Sequence, residues 1–329
     1  MSTPSAPKES VLSALYAPLQ SEALLHISGP DTLTFLQGQT TCDTRKLSAS
    51  GALPGAYCNI QGRVVCDFLL LQLEEEHYAL RLKADTLEKA AATFGKYIVF
   101  SKAELDSDNH DWALFGCWGE SVADALRALD LTLPAERYQA TSGDGWMVVQ
   151  MDDAGQQFEV YINQREHPAR QDALGTALAE GSEAQWQILQ MRAGIGRVEG
   201  PNVEELLPQM LNYDLTGHVS FNKGCYTGQE IVARLHYRGK AKRRMYLGEL
   251  AVGTGIQAGA SLFNKGSEQS VGIVVNAAEQ DGRGLCLVSA TEKGVAQGLR
   301  LASSEGSTID LLALPYPVDA ADPAKPHTD

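Results

Sequence analysis

The chain has 329 residues, 44% of them hydrophobic and 21% charged, and a net charge of -14. That length exceeds one small core and suits two or three domains, while the acidic balance argues against nucleic-acid or anionic-membrane binding through the whole surface. A local basic patch is still open to it. The N-terminal segment has no apolar run long enough for a signal peptide or anchor, and no arginine precedes Arg45, so a cytoplasmic location is expected.

In chain order, a Ser/Pro-rich leader precedes an alternating strand at Ala23 to Ser28. The Gly29-Pro30-Asp31 turn then opens a short helix carrying Leu33, Phe35 and Leu36. Residues 56 to 73 read as two strands about the Gln61-Gly62-Arg63 turn, and a third follows at Tyr78 to Leu82. Asp85 opens a helix whose Leu87, Ala90, Ala91 and Phe94 share one face. A second round has a strand at Trp112 to Cys117, a helix at Ser121 to Leu129, a hairpin of Trp146 to Met151 with Phe158 to Ile162, and a helix near Ala169 to Ala179. This order suggests two α+β units of the split βαβ kind. A helix bearing Trp186, Leu189 and Ala193 leads to the Glu199-Gly200-Pro201 loop.

Beyond Arg244, short β-like runs separated by Gly-rich turns (Met245 to Leu250, Val271 to Asn276, Leu285 to Ser289, Thr308 to Leu314) predict a small barrel or sandwich. Gly253 and Gly255 read as turns, because no helix follows them. The expected division is a flexible leader at 1–22, an α+β region at 23–243, a β-barrel at 244–314 and a disordered tail at 315–329.

Four constellations have the residue types for chemistry. The first is FNKGCYTGQEIVARLHYRG, residues 221 to 239. Thr227 and Glu230 have capping-box spacing, and Tyr226 with Ile231 fits a hydrophobic staple. Cys225 would then sit at a helix mouth, two residues from Lys223, where free amides and a cation favour a thiolate. Gly224 and Gly228 bring bare backbone to both sides of it. Equally, capping alone explains four of these residues, and a lone cysteine is commonly a small buried apolar group.

The second group is the Asn59 to Arg63 turn with Cys66 and Asp67, either a ligand-facing hairpin or a plain polar turn. The third is Arg192, Glu199 and Asn212, where a buried carboxylate would pair with the amino-imino edge of a pterin. The fourth is the basic run Arg234, His236, Arg238, Lys240, Lys242, Arg243 and Arg244, suited to a polyglutamate tail, an RNA backbone or simply solvent. Six scattered cysteines without a CxxC pair, and seven histidines without ligand spacing, disfavour structural zinc, a one-segment iron-sulfur site and a disulfide framework, so no metal site is expected. Neither a G-x-S-x-G, an H-E-x-x-H nor a P-loop is present, and a cysteine hydrolase pairing cannot be read from the sequence.

KGCYTGQE at 223 to 230 resembles the signature of the YgfZ family of folate-binding proteins, relatives of the T-protein aminomethyltransferase of glycine cleavage. SGPDTLTFLQGQTTCD, the Gln61-Gly62-Arg63 turn, MRAGIGRVEG, LPQMLNYD and VARLHYRGKAKRR agree in the same order along most of the chain. The resemblance implies a T-protein-like α+β fold, with two interleaved ferredoxin-like units around a central folate cavity and a C-terminal barrel. It implies tetrahydrofolate as cofactor and a role in making or repairing iron-sulfur clusters in client enzymes, including those that thiolate tRNA. Cys225 and Lys223 would be the functional pair, and Asn59, Arg63, Glu199, Asn212, Gln229 and Arg234 the folate contacts. Iron-sulfur client or assembly proteins are the implied partners, with tRNA contact through Arg234, Arg238, Lys240 and Lys242. T-proteins carry a GGxxDD-like turn, whereas Gly62 to Asp67 reads Gly-Arg-Val-Val-Cys-Asp, so the first acidic position falls on Cys66. A thiol does not replace a carboxylate beside a developing cation near neutral pH, which puts aminomethyl transfer in doubt. The rivals are a one-carbon transferase and a tRNA-binding module that works without folate.

Overall fold

The computed structural model describes residues 14–251, 253–280 and 282–318. Residues 1–13 of the expected leader and 319–329 of the expected tail lie outside these. The chain separates into two compact units, one of residues 14–19 with Asp111–Ser182, the other of Gln20–His110 with residues 183–318.

The first unit is a six-stranded sheet ordered Ala179–Glu180, Leu15–Pro18, Trp112–Trp118, Gln157–Asn163, Trp146–Gln150, Ala140–Gly143. Leu15–Pro18 runs antiparallel to Trp112–Trp118, so an ordered strand occupies residues that the sequence assigned to a flexible leader. Four residues ending in proline carry too little alternation to register as a strand, and only pairing with a distant segment creates it. Helices Val122–Arg127 and Pro168–Ala177 bury Val122, Leu126 and Leu174 with Phe115, Cys117, Phe158, Val160 and Val148 of the sheet. Period-two alternation puts these strand residues on one face.

The second unit begins with a five-stranded sheet ordered Ala52–Cys58, Val64–Glu74, His77–Lys83, Glu22–Ser28, Glu104–Asp106. Helices Thr32–Gln39 and Leu87–Ile98 pack Phe35, Leu36, Ala90 and Phe94 against Leu25, Ile27, Leu70, Leu80 and Leu82. Further on, helices Glu183–Arg192 and Gln229–Arg238 flank a long irregular stretch, and six strands then close a barrel. Around the barrel run Arg243–Ala251, Arg283–Thr291, Gly272–Gln280, Ser261–Phe263, Leu299–Leu301 and Thr308–Leu312. Leu262, Val274, Val288 and Ile309 fill its interior. A separate cluster joins the barrel's Met245, Leu247 and Val275 to Ala56, Val64, Val198, Leu211, Tyr213 and Val232.

The molecule is thus a mixed α+β protein with a C-terminal barrel. The barrel strands Ser261–Phe263 and Leu299–Leu301 escape the sequence reading because three residues are too few to show a period. The expected tail starts too early, since the Tyr316 hydroxyl donates to the Gly194 carbonyl at 2.7 Å. No described helix is long and apolar enough to cross a membrane.

Candidate functional site

Residues 221 to 228 form an irregular loop ahead of helix Gln229–Arg238. The expected capping box does not form. Gly228 is the N-cap in a left-handed conformation, φ 81°, and no side chain caps the helix. A Cβ on Gly228 would run into the Asn59 carbonyl and lie 3.1 Å from Cys58 Cβ and Gly62 Cα, so the backbone passes where only glycine fits. The Thr227 hydroxyl turns instead toward Gln39 Oε1, at 3.3 Å. With the helix starting later, Tyr226 and Ile231 lose staple spacing, and Ile231 packs over Gly62.

Lys223 is buried, and its Nζ donates to the carbonyls of Gln37 and Thr40 at 2.7 and 2.5 Å. These lie at the C-terminus of helix Thr32–Gln39, where carbonyls lack intrahelical partners and a cation suits the dipole. The ammonium also stands 5.0 Å from the Tyr226 ring centroid. Burial lowers its pKa to about 8, against the opposing pull of Cys42 and Asp43. Lys223 therefore clasps a helix end, and burial raises the pKa of the Cys42 thiol. Cys225 is exposed, and the other five cysteines are buried.

The Asn59 to Arg63 turn abuts this loop. Asn59 Oδ1 accepts from the amides of Gln61 and Arg63, each at 3.0 Å, while its Nδ2 donates to Glu204 Oε1 at 3.0 Å. Its amide is thereby committed to holding the turn. Arg63 donates to the carbonyls of Glu204 and Glu205. Gln229 reaches the Gly224 carbonyl at 3.4 Å, and Arg234 is exposed on the helix. The Asn59 turn and the loop of Cys225 and Gln229 thus meet at Gly228, and Arg234 lies further along the helix.

Glu199 and Asn212 have none of their hydrogen-bond partners in the 223–230 loop. Asn212 is fully buried and left-handed at φ 56°, with its Nδ2 donating to the Met245 carbonyl at 2.9 Å and its Oδ1 accepting the Met245 amide at 3.2 Å. It serves as a clasp on the first barrel strand. Arg192 is exposed at its helix end. Glu199 is half-buried, accepts from Asn276 Nδ2 at 2.8 Å through one oxygen, and has its pKa raised by burial. Beside it, the buried Asn202 donates through Nδ2 to the Val275 carbonyl, but its Oδ1 has no donor. Glu199 keeps its second oxygen free to accept, whereas Asn202 Oδ1 is an unpartnered acceptor sealed inside the fold.

Sequence reasoning missed a buried ionic network. Asp67 accepts from Arg197 Nε and from the Val198 amide, the latter at 2.6 Å. Arg197 also binds both oxygens of Glu22, at 3.2 and 3.1 Å, and Glu22 pairs further with Arg81 and Lys83. Burial pushes the Glu22 carboxyl up, yet Arg197, Lys83 and Arg81 outweigh it and hold it at about 2. The signal available was isolated charges inside apolar strands, such as Asp67 in VVCDFLLL, because such charges require partners. Cys66 beside it is fully buried with its thiol pKa pushed up, so the hairpin presents neither a free carboxylate nor a thiolate. Among the described residues, no three His, Cys, Asp or Glu side chains gather as a metal-ligand set.

No protein-family model matches the chain. A tRNA-modifying protein YgfZ of Edwardsiella ictaluri is 33% identical over 224 residues, covering 68% of this chain and 67% of the relative. Its counterpart in Klebsiella pneumoniae is 31% identical over 228 residues, 69% of each. One from Escherichia coli is 27% identical over 304 residues, 92% of this chain and 93% of its own length. Among solved structures, the glycine cleavage system aminomethyltransferase T of Bartonella henselae superposes with a TM-score of 0.74 at 17% identity, over 93% of this chain and 87% of that one. At that identity the likeness speaks to fold alone.

Proposed function

Since the chain belongs to the family of YgfZ tRNA-modifying proteins, we propose that it is a cytoplasmic tetrahydrofolate-binding factor that assists assembly or repair of iron-sulfur clusters in client enzymes, tRNA-thiolating ones included. Its two α+β units are read as ferredoxin-like halves of a T-protein type. The observation that carries the reading is the single exposed cysteine thiol, Cys225, on a loop tied to the fold by Lys223 and Gly228. A cluster or persulfide under transfer is the cargo, and Cys225 is its nucleophile or transient ligand. The remaining ligands would come from the client, as an iron-sulfur cluster usually needs about four thiolates.

Tetrahydrofolate would be received at Glu199, whose half-buried carboxylate keeps one oxygen free to accept from the amino and ring N–H groups of the pterin. When bound it supplies an electron-rich ring able to take up one-carbon units. Asn59 and Asn212 support the site through the turn and the barrel clasp, their amides being already engaged. Arg63, Gln229 and Arg234 remain candidates for the outer, glutamate-bearing part. Lys223 keeps the Cys225 loop in place through its bonds to the Gln37 and Thr40 carbonyls.

Isothermal titration with tetrahydrofolate tests the cofactor, and no binding heat to wild type would remove it. For the thiol, Cys225→Ala is expected to leave iron-sulfur enzyme activity unrestored in a strain lacking the native gene. Full restoration would take Cys225 out of the mechanism. Aminomethyl transfer is disfavoured by the engaged Asp67 and buried Cys66, and methylenetetrahydrofolate formation with a lipoylated carrier would reverse that preference.

A further inference from the structure

Helix Gln229–Arg238 buries Val232 and turns Glu230, Ile231, Arg234, Tyr237 and Arg238 outward on one face, at helical spacing. Tyr237 is 58% exposed, an unusual state for a large aromatic side chain on a helix that also has an inward face to offer it. Two neighbouring rings hold it in place. Phe221 and His236 stack at 3.6 Å between centroids and 10° between planes. Tyr237 meets them edge-on, at 6.1 Å and 75° from Phe221 and at 4.8 Å and 78° from His236. Such a support fixes the ring's orientation and keeps its outer side open to solvent.

Arg234 and Arg238 flank this ring on the same helix face, and Lys242 and Arg243 follow the helix end, in a chain of net charge -14. Arg234, Arg238, Lys242 and Arg243 make no ion pair among the described residues, whereas Lys240 pairs with Glu292 at 3.0 Å and Arg244 with Asp214 at 2.7 Å. Glu230 is the one acid on the exposed helix face. Unpaired cations beside a fixed, open aromatic ring are the two parts of a single-strand nucleic-acid site, where the cations follow phosphates and a base stacks on the ring. A duplex keeps its bases inside and would leave the ring unused. A polyglutamate chain would engage only the cations.

We propose that this face binds an unpaired segment of RNA, with one base stacked on Tyr237 and its flanking phosphates held by Arg234, Arg238 and Lys242. The proposal rests on the tRNA-linked reading above and adds to it the state of the RNA and the residue that reads it. Cys225, in the loop leading into this helix, then lies on the RNA-binding side of the unit.

The test uses the full chain and a short, unstructured, fluorescein-labelled RNA, with anisotropy read across a salt series. Tyr237→Ala is expected to weaken binding about tenfold and Tyr237→Phe to leave it nearly unchanged, because the ring does the stacking. Arg234→Ala with Arg238→Ala should flatten the salt dependence by about two phosphate contacts. A duplex RNA of the same length should bind more weakly and be insensitive to Tyr237→Ala. The proposal is overturned if Tyr237→Ala binds the single strand like wild type, if the duplex binds as tightly as the single strand, or if only a polyglutamate peptide binds. Wild type that binds the RNA but takes up no tetrahydrofolate in a parallel titration upholds the stacking surface and sinks only the folate reading.

Discussion

Gly228→Ala is the sharpest perturbation of the loop that carries Cys225. The residue sits at φ 81°, a left-handed backbone that costs an alanine ~1–2 kcal/mol. Its new Cβ would collide with the Asn59 carbonyl, which accepts the Gly62 amide at 2.9 Å, and would press on Cys58 Cβ and Gly62 Cα at 3.1 Å. None of these is the movable end of a side chain, so the Asn59 turn must shift, weakening at least one hydrogen bond of ~1 kcal/mol. The sum is about 2–3 kcal/mol, or roughly 4–12 °C in melting temperature for a unit of this size. Gly224→Ala is the control, because a Cβ there meets nothing within 4 Å and its backbone is not left-handed. Thermal melts of both variants, read beside the rate at which Ellman's reagent modifies Cys225, measure the effect. Gly228→Ala melting with wild type, or both variants losing the same stability, would refute the claim that the turn and the motif loop are locked together through this glycine.

In the native chain one thiol, Cys225, should react promptly with Ellman's reagent and all six only after denaturation; a second fast thiol would contradict the burial of the others. For Lys223, burial lowers the folded pKa to about 8 from the ordinary 10.5, so between these values the unfolded chain binds more protons and stability rises with pH. The contribution is complete above the unfolded value and is lost as pH falls through about 8. Relative to Lys223→Met, the urea midpoint of wild type should climb from pH 8 to 10.5, and parallel profiles would count against the depressed pKa. Asn212→Ala strands the buried amide and carbonyl of Met245 and leaves a left-handed alanine, a loss of about 3 kcal/mol by melting. A loss below about 1 kcal/mol would mean that the clasp is dispensable.

Several elements were legible because their signal is local. Alternation in Glu22–Ser28 and Trp112–Trp118, and the apolar face of Leu87–Ile98, follow from where the side chains point along a strand or helix. Thr227 misled for the opposite reason. Its spacing to Glu230 suits a capping box, yet a glycine forced left-handed by the Asn59 turn moved the helix start beyond it. Arg197 was passed over for Arg192, since nothing in MRAGIGRVEG says which arginine meets Asp67 and Glu22.

By itself, the sequence determined the alternation of strands and helices, the barrel texture beyond Arg244 and the presence of a Cys225 motif beside a basic run. These depend on periodicity, turn chemistry and residue type over a few positions. Only the tertiary structure decided that Lys223 clasps the end of helix Thr32–Gln39, that Asn212 binds a barrel strand, and that Asp67 is paired with Arg197. Each of those roles belongs to a pair of segments far apart in the chain. A side chain's partner is set by the packing that brings the segments together, and neither segment alone records it.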